Sequence, residues 1–285
     1  MRLPRERKGY AAPDLREGMA QAVASGIWAT EPAPVEERVG TVRVLRWLPE
    51  EALRGRMIHF HGGGYRQGCP EMDGPYASAL AKACGIEVIV PQYRLAPEAP
   101  FPAALNDALE VLWGTMADRP LVISGGSAGG GIAAALALLG CDEGRKMAGL
   151  VLHSPWLDLR VTAPSYWSNA DSDAMFSAES AKLAAESYLQ GEDPTHPAAS
   201  PLLGDLAGLP PVLITAGTGE VLIDDATRFH AALHEAGVAS RLLAIEGMAH
   251  IAATRDPSAT GAAECFAAVV EFVNGLTALS RIRLG

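Results

Sequence analysis

Short runs of β-branched and apolar residues alternate along the chain with longer stretches whose apolar positions recur every three or four residues. Residues 35–39 and 41–48, separated by Gly40, read as an antiparallel hairpin. Six further runs, 57–61, 87–91, 121–124, 149–153, 212–216 and 241–245, complete a set of eight strands. Between them lie helical stretches at 74–83, 102–116, 128–139, 222–236 and 257–276. In the stretch from 222, Leu222, Ala226, Phe229, Leu233 and Ala236 share one apolar face, and Gly237 suits its C-terminal end. This order predicts an α/β fold: an eight-stranded, mostly parallel sheet with helices on both faces.

Two stretches stand outside the alternation. Residues 1–34 hold one helical pattern, 14–27, followed by Pro32 and Pro34. Residues 160–205 interrupt the strands with polar segments and one helical pattern at 178–189. Long insertions over a sheet usually serve as lids or binding elements. The expected organisation is an N-terminal cap segment at 1–34 and a core at 35–285, with a second cap insertion at about 160–205.

The strongest chemical signal is Gly125-Gly126-Ser127-Ala128-Gly129-Gly130, between the strand at 121–124 and the helix that follows. A G-x-S-x-G sequence in that setting makes a tight turn that exposes the serine hydroxyl as a nucleophile. His61-Gly62-Gly63-Gly64-Tyr65 follows the third strand, where backbone N–H groups can converge on a developing oxyanion. Gly62, Gly63 and Ala128 are the expected donors; His61 is expected to brace the loop, and His59 to be structural. After the seventh strand comes Gly217-Thr218-Gly219-Glu220-Val221-Leu222-Ile223-Asp224, and after the eighth Gly247-Met248-Ala249-His250. The order Ser127, acid, His250 is that of a serine hydrolase whose histidine takes and returns the serine proton. Glu220 is the expected acid, with Asp224 or Asp225 as alternatives. Asp224 is otherwise expected to start the following helix or brace the His250 loop.

These motifs resemble the hormone-sensitive-lipase-like branch of the α/β-hydrolases, the bacterial carboxylesterases. Beside His61–Gly64 and Gly125–Gly130, the resemblance rests on the run from Tyr93-Arg94-Leu95-Ala96-Pro97-Glu98 to Ala103, then Asp107, and on Ser154-Pro155-Trp156-Leu157-Asp158. It covers about residues 40–275. It implies an α/β-hydrolase fold with a small helical cap, and ester hydrolysis through an acyl-enzyme on Ser127; the shortness of the cap segments suggests short-to-medium acyl or small aromatic esters. Two positions depart from the family pattern. Gly126 stands where Asp is usual before the nucleophile, and Glu220 opens a D-x-L-x-D pattern whose first acid is usually Asp. A same-fold lactonase, arylformamidase or dehydratase, or a non-catalytic ligand receptor, are the competing functions. Candidate pocket residues are Tyr65, Trp28, Trp156 and Trp167, with Tyr166 and Met175, though such aromatics also serve as core.

Composition narrows the partners. The chain has 285 residues, 49% apolar and 20% charged, which excludes intrinsic disorder. A net charge of −10 leaves no basic stripe for a nucleic-acid backbone, and the one basic cluster, Arg2, Arg5, Arg7 and Lys8, is short. Cys69, Cys84, Cys141 and Cys265 lie far apart and read as inert thiols. His230 and His234 are four apart on one helix but lack a third ligand, so no metal is expected, and no other cofactor. The weakly polar run 125–141 suits a buried helix rather than a membrane span. Without a secretory pattern the expected location is cytoplasmic and the expected partner a small-molecule ester. Families of this kind are often homodimeric, which one sequence does not decide.

Overall fold

Gly40 turns the chain between β1 (Val35–Val39) and β2 (Val42–Trp47), which pair antiparallel. The computed structural model describes residue 3 and residues 16–50, 53–115, 119–144 and 146–282. The basic cluster at 2–8, the start of the helix expected at 14–27 and Met116 lie outside them. Six strands follow: β3 (Arg56–Phe60), β4 (Glu87–Pro91), β5 (Leu121–Gly126), β6 (Gly149–His153), β7 (Val212–Gly217) and β8 (Ser240–Ile245). Their order in the single sheet is β1-β2-β4-β3-β5-β6-β7-β8. β2 runs antiparallel to β4, and β4, β3, β5, β6, β7 and β8 are mutually parallel.

The two-residue period of the strands sorts their side chains into two apolar layers. Ile58, Ile123, Leu150, Leu152, Val212 and Ile214 face one layer. It is closed by α3 (Ala103–Thr115), α4 (Ala128–Asp142) and α7 (Ile223–Glu235), whose apolar faces belong to the same cluster. Met57, Val122, Val151 and Leu213 face the other, closed by α2 (Gly74–Cys84) and α9 (Ala262–Ile282). The central strands are buried on both faces, which is why they read as continuous apolar runs.

The remaining helices are α1 (Glu17–Ser25), α5 (Ser165–Ser168), α6 (Ala178–Leu189) and α8 (Ala252–Arg255). α5 and α8 are single turns, too short to leave a periodic signal. α9 begins at Ala262 rather than 257, because residues 257–261 form turns and Gly261 sits at φ +76°. α4 is buried along nearly its whole length, as the run at 125–141 suggests. No described helix is long and apolar enough to cross a membrane.

Parallel strands present all their C-terminal ends at one edge of the sheet. The turns that follow β3, β5, β7 and β8 carry the motifs, so topology alone gathers them there.

Candidate active site

Ser127 sits between β5 and α4 with φ +53° and ψ −121°, a backbone conformation outside both helix and strand. Close packing holds it there. A Cβ on Gly129 would lie 2.1 Å from Phe60 O and 2.5 Å from His61 O, so only glycine lets α4 start against the end of β3. Ser127 N–H donates to His153 O (2.9 Å), and Ser127 O accepts from Trp156 N–H (3.0 Å). The Ser154–Asp158 motif thus clamps the nucleophile turn from the β6 side.

His250 Nε2 lies 3.0 Å from Ser127 Oγ, and His250 Nδ1 lies 2.7 Å from Glu220 Oε2. A carboxylate only accepts, so Nδ1 carries the proton and Nε2 is left to accept from the serine hydroxyl. All three residues are buried: Ser127 is 4% exposed, Glu220 1% and His250 7%. The second carboxylate oxygen of Glu220 accepts from Gly217 N–H (2.5 Å) and from Ser154 Oγ–H (2.8 Å). Ser154 Oγ accepts in turn from Ile251 N–H (3.1 Å). One hydroxyl therefore ties the acid to the backbone beside the histidine. Sequence reasoning quoted Ser154 only for resemblance; its positive φ, +43°, is the structural mark of its role.

The glycine loop runs beside the serine. A Cβ on Gly62 would stand 3.4 Å from Ser127 Cβ, and Gly63 and Gly64 line the same hollow as Ser127 and His250. Among the described residues, no group accepts from the backbone N–H of Gly62, Gly63 or Ala128. His61 Nδ1 lies 2.8 Å from Gly62 O, and its ring stacks on Tyr93 at 4.2 Å. Burial pushes His61 down to about 4, so it stays neutral as a brace. Tyr93 Oη–H donates to His61 O (2.7 Å), Ala96 N–H donates to Tyr65 O (2.8 Å), and Asp107 holds Arg94. The Tyr93–Asp107 block is thus the support beneath the glycine loop. His59 lies deeper, against Ser124 Oγ (3.0 Å). Burial also pushes His153 down, to about 3, between Tyr76 and Thr215.

Comparison with known proteins agrees with this geometry. Residues 57–254 match the family described as alpha/beta hydrolase fold. An acetyl-hydrolase of Streptomyces hygroscopicus is 38% identical over 197 residues, 67% of this chain and 66% of that protein. An esterase of Acinetobacter venetianus is 34% identical over 198 residues, 67% of this chain and 65% of its own length. The matched stretch thus spans just under two thirds of these curated relatives. Among solved structures, an esterase from the bacterial hormone-sensitive lipase family superposes with TM-score 0.81 at 32% identity, covering 85% of this chain and 84% of that one. A hormone-sensitive lipase from a metagenome library gives TM-score 0.84 at 31% identity, with 93% of each chain covered. The chain belongs to the α/β-hydrolase family, in its hormone-sensitive-lipase-like branch.

In this hydrolase the hollow beside Ser127 has a volume of about 340 Å³. Met19, Met72, Met175, Phe176 and Ile251 give it apolar walls, and Arg66, Gln67, Ser180 and Arg255 give it polar ones. Phe176 also stacks on His250, rings 8° from parallel and 5.9 Å apart. Of the expected pocket residues only Met175 lines it. Trp156 is fully buried between Tyr65 and Phe176, and Tyr65 is buried against Tyr188, so both serve as core. Trp28 borders a separate hollow with Trp47, and Trp167 is 57% exposed on α5. Aromatic content pointed to those four; the flexible methionines and a single stacked phenylalanine occupy the place instead.

Asp224 needs a similar correction. It lies in the first turn of α7 but accepts from Ser165 N–H (2.8 Å), fastening α5 rather than the His250 loop. Asp225 is buried and accepts from Leu157 and Asp158 N–H (2.7 and 3.0 Å). Neither approaches His250 as Glu220 does. Gly126 leaves room beside the turn: a Cβ there would meet Ile251 Cγ2 at 3.5 Å, ordinary contact. His230 pairs with Ser240 Oγ (2.8 Å), and the four cysteines are free thiols.

Proposed function

We propose that the protein is a serine carboxylesterase acting on small esters. The observation that carries this reading is the continuous chain from Ser127 Oγ through the His250 ring to Glu220 Oε2, with links of 3.0 and 2.7 Å. Ser127 Oγ attacks the acyl carbon while His250 Nε2 takes its proton. The backbone N–H groups of Gly62, Gly63 and Ala128 receive the oxyanion, and unoccupied donors beside the nucleophile support that role. Glu220 holds Nδ1–H and stabilises the imidazolium. His250 then protonates the departing alcohol, and a water deprotonated by His250 releases the acid and restores Ser127.

A hollow of about 340 Å³ with methionine walls supports short or medium acyl chains. The described residues 16–34 of the N-terminal segment and residues 160–205 act as the cap over it in this reading. Met19 from the first and Met175, Phe176 and Ser180 from the second all line the hollow, which supports that assignment. Cytoplasmic residence and a homodimer belong to the same proposal, to be tested by fractionation and sedimentation.

The test is initial rates on p-nitrophenyl esters from acetate to dodecanoate, with Ser127→Ala, Glu220→Gln and Asp224→Asn variants. Loss of turnover is expected in Ser127→Ala, and a loss of about 10³–10⁴-fold in Glu220→Gln, as for a wrongly held tautomer. Full turnover in Ser127→Ala contradicts the assignment. A deeper loss in Asp224→Asn than in Glu220→Gln contradicts the choice of acid.

A further inference from the structure

The walls of the Ser127 hollow carry an unexpected sign. Among the described residues, apart from His250, the ionisable side chains lining it are two arginines, Arg66 and Arg255, with no acid, in a protein of 33 acids against 23 Lys and Arg. Arg255 ends α8, five residues beyond His250, and its side chain is only 18% exposed. Among the described residues its one acidic partner is Asp73, whose Oδ1 lies 3.3 Å from Nε, a contact not aligned as a hydrogen bond. Among the described residues no acceptor faces the terminal nitrogens of Arg255.

Asp73 itself sits behind the hollow, shared with His59 Nε2 at 3.4 Å. Burial pushes its carboxyl up, but Arg255 and His59 outweigh this and hold it down at about 2, so it stays ionised. Asp73 therefore balances the charge of Arg255 from the Nε side, while the outer N–H groups of the planar guanidinium are left without a protein acceptor among the described residues. Only Nε is buried without a hydrogen bond; the outer N–H groups face the hollow, and a carboxylate is the group whose geometry matches that fork.

We propose that the pocket selects esters whose acyl or alcohol part carries a carboxylate, bound by Arg255. This rests on the esterase reading above and adds a substrate class to it. The remaining walls are compatible with that class: Met72 and Ile251 supply apolar contact for the linking carbons, and Gln67 supplies a neutral polar group. Among the described residues no acid lines the hollow, and the one carboxylate close to Arg255, Asp73, is buried behind it on the Nε side.

Two matched pairs test the proposal on the whole chain. For the acyl side, mono-p-nitrophenyl glutarate is compared with p-nitrophenyl pentanoate. For the alcohol side, 4-acetoxybenzoate is compared with its methyl ester. In the wild type the charged member is expected to have the higher kcat/KM in one pair, with a preference that shrinks as salt is added. In Arg255→Gln that ratio is expected to fall tenfold or more, chiefly through KM, and Arg255→Lys is expected to keep part of it. Should Arg255→Gln not fold, inhibition of the wild type by free glutarate but not by glutaramide serves the same purpose. A wild-type preference for the neutral member in both pairs overturns the proposal. So does an Arg255→Gln variant that slows both members equally, because Arg255 then serves only to neutralise Asp73. Ser127-dependent hydrolysis without anionic preference sinks this proposal alone, whereas hydrolysis of neither pair sinks the esterase reading with it.

Discussion

The floor of the cleft and the segments above it hold their residues by different means. On the floor, Ser127, Ser154 and Ile251 all have positive φ, and glycine backbones pack against carbonyl oxygens with no space for a methyl group. The main chain itself sets where Ser127, Glu220 and His250 stand. Above, the 160–205 insertion is fastened by side chains. Asn169 Nδ2 donates to Thr218 O and Glu220 O (3.0 and 2.9 Å), Ser172 Oγ donates to Gly219 O (2.7 Å), and Asp173 accepts from Val221 N–H (2.9 Å). α1 is held more lightly still. None of its residues is buried, and Arg16 just before it reaches Arg66 O, Ala96 O and Glu98. The Ser127–His250–Glu220 geometry is thus set by backbone, and the walls of the hollow by segments fastened through side chains.

Gly129→Ala breaks the floor most severely. Its new methyl would meet two carbonyl oxygens of β3 and the loop after it, so a loss of more than ~3 kcal/mol is expected. That corresponds to a fall in Tm of at least ~6 °C, with activity lost in parallel. Gly126→Ala, whose methyl finds ordinary contact distances, is expected to shift Tm by less than ~2 °C. Equal stability of the two variants contradicts the packing argument.

Ser154→Ala tests the link between acid and base without altering either. Glu220 loses a donor and Ile251 N–H its acceptor, at a cost of about 1–3 kcal/mol. kcat is expected to fall about tenfold with KM little changed. Ser154→Gly, which suits the positive φ, is expected to lose as much, because the hydroxyl and not the backbone is responsible. A loss confined to KM contradicts this role.

Asp225, which holds the Leu157–Asp158 backbone, gives stability a pH dependence. Burial pushes its carboxyl up from 3.8 to about 7. The folded state keeps the proton where the unfolded chain has released it, so the contribution to stability declines as pH rises from about 4 to about 7. Asp225→Asn can still accept from Leu157 and Asp158, and its Tm is expected to gain on the wild type across that window by a few degrees, about 2–4 °C per kcal/mol. A gap that narrows with rising pH contradicts the sign.

Arg16→Ala probes the cover and is expected to have a small effect. The Arg16–Glu98 pair is partly exposed, with ion-pair value up to ~1 kcal/mol. Tm should move by less than ~4 °C, while KM rises about two- to threefold as Met19 loses its anchorage. A collapse of kcat here would mean that α1 sets the catalytic geometry after all.

The same division explains what was legible in the sequence. Strands buried on both faces leave apolar runs, and glycine turns leave motifs, so the eight strands and the meeting of Ser127 with His250 follow from local pattern and motif order. The cover leaves no such trace. Phe176 stacks on His250 from a polar insertion with no period to place it, and Trp156 looks like a pocket residue until β6 carries it into the core. Asp224 and Glu220 are four apart, and only the course of the loop before α7 decides which carboxylate reaches His250. Ser154 carried no chemical signal because a serine after a strand is common; its hydroxyl matters through two partners distant in sequence.

The central claim is that Ser127 carries the acyl group between two proton transfers by His250. Rapid mixing with p-nitrophenyl acetate, acid quenching and peptide mass spectrometry test it directly. The account predicts a transient acetyl group on the peptide containing Ser127, forming with the burst of nitrophenol and absent from Ser127→Ala. An acetyl group on another residue, or steady turnover by Ser127→Ala at the wild-type rate, would contradict it.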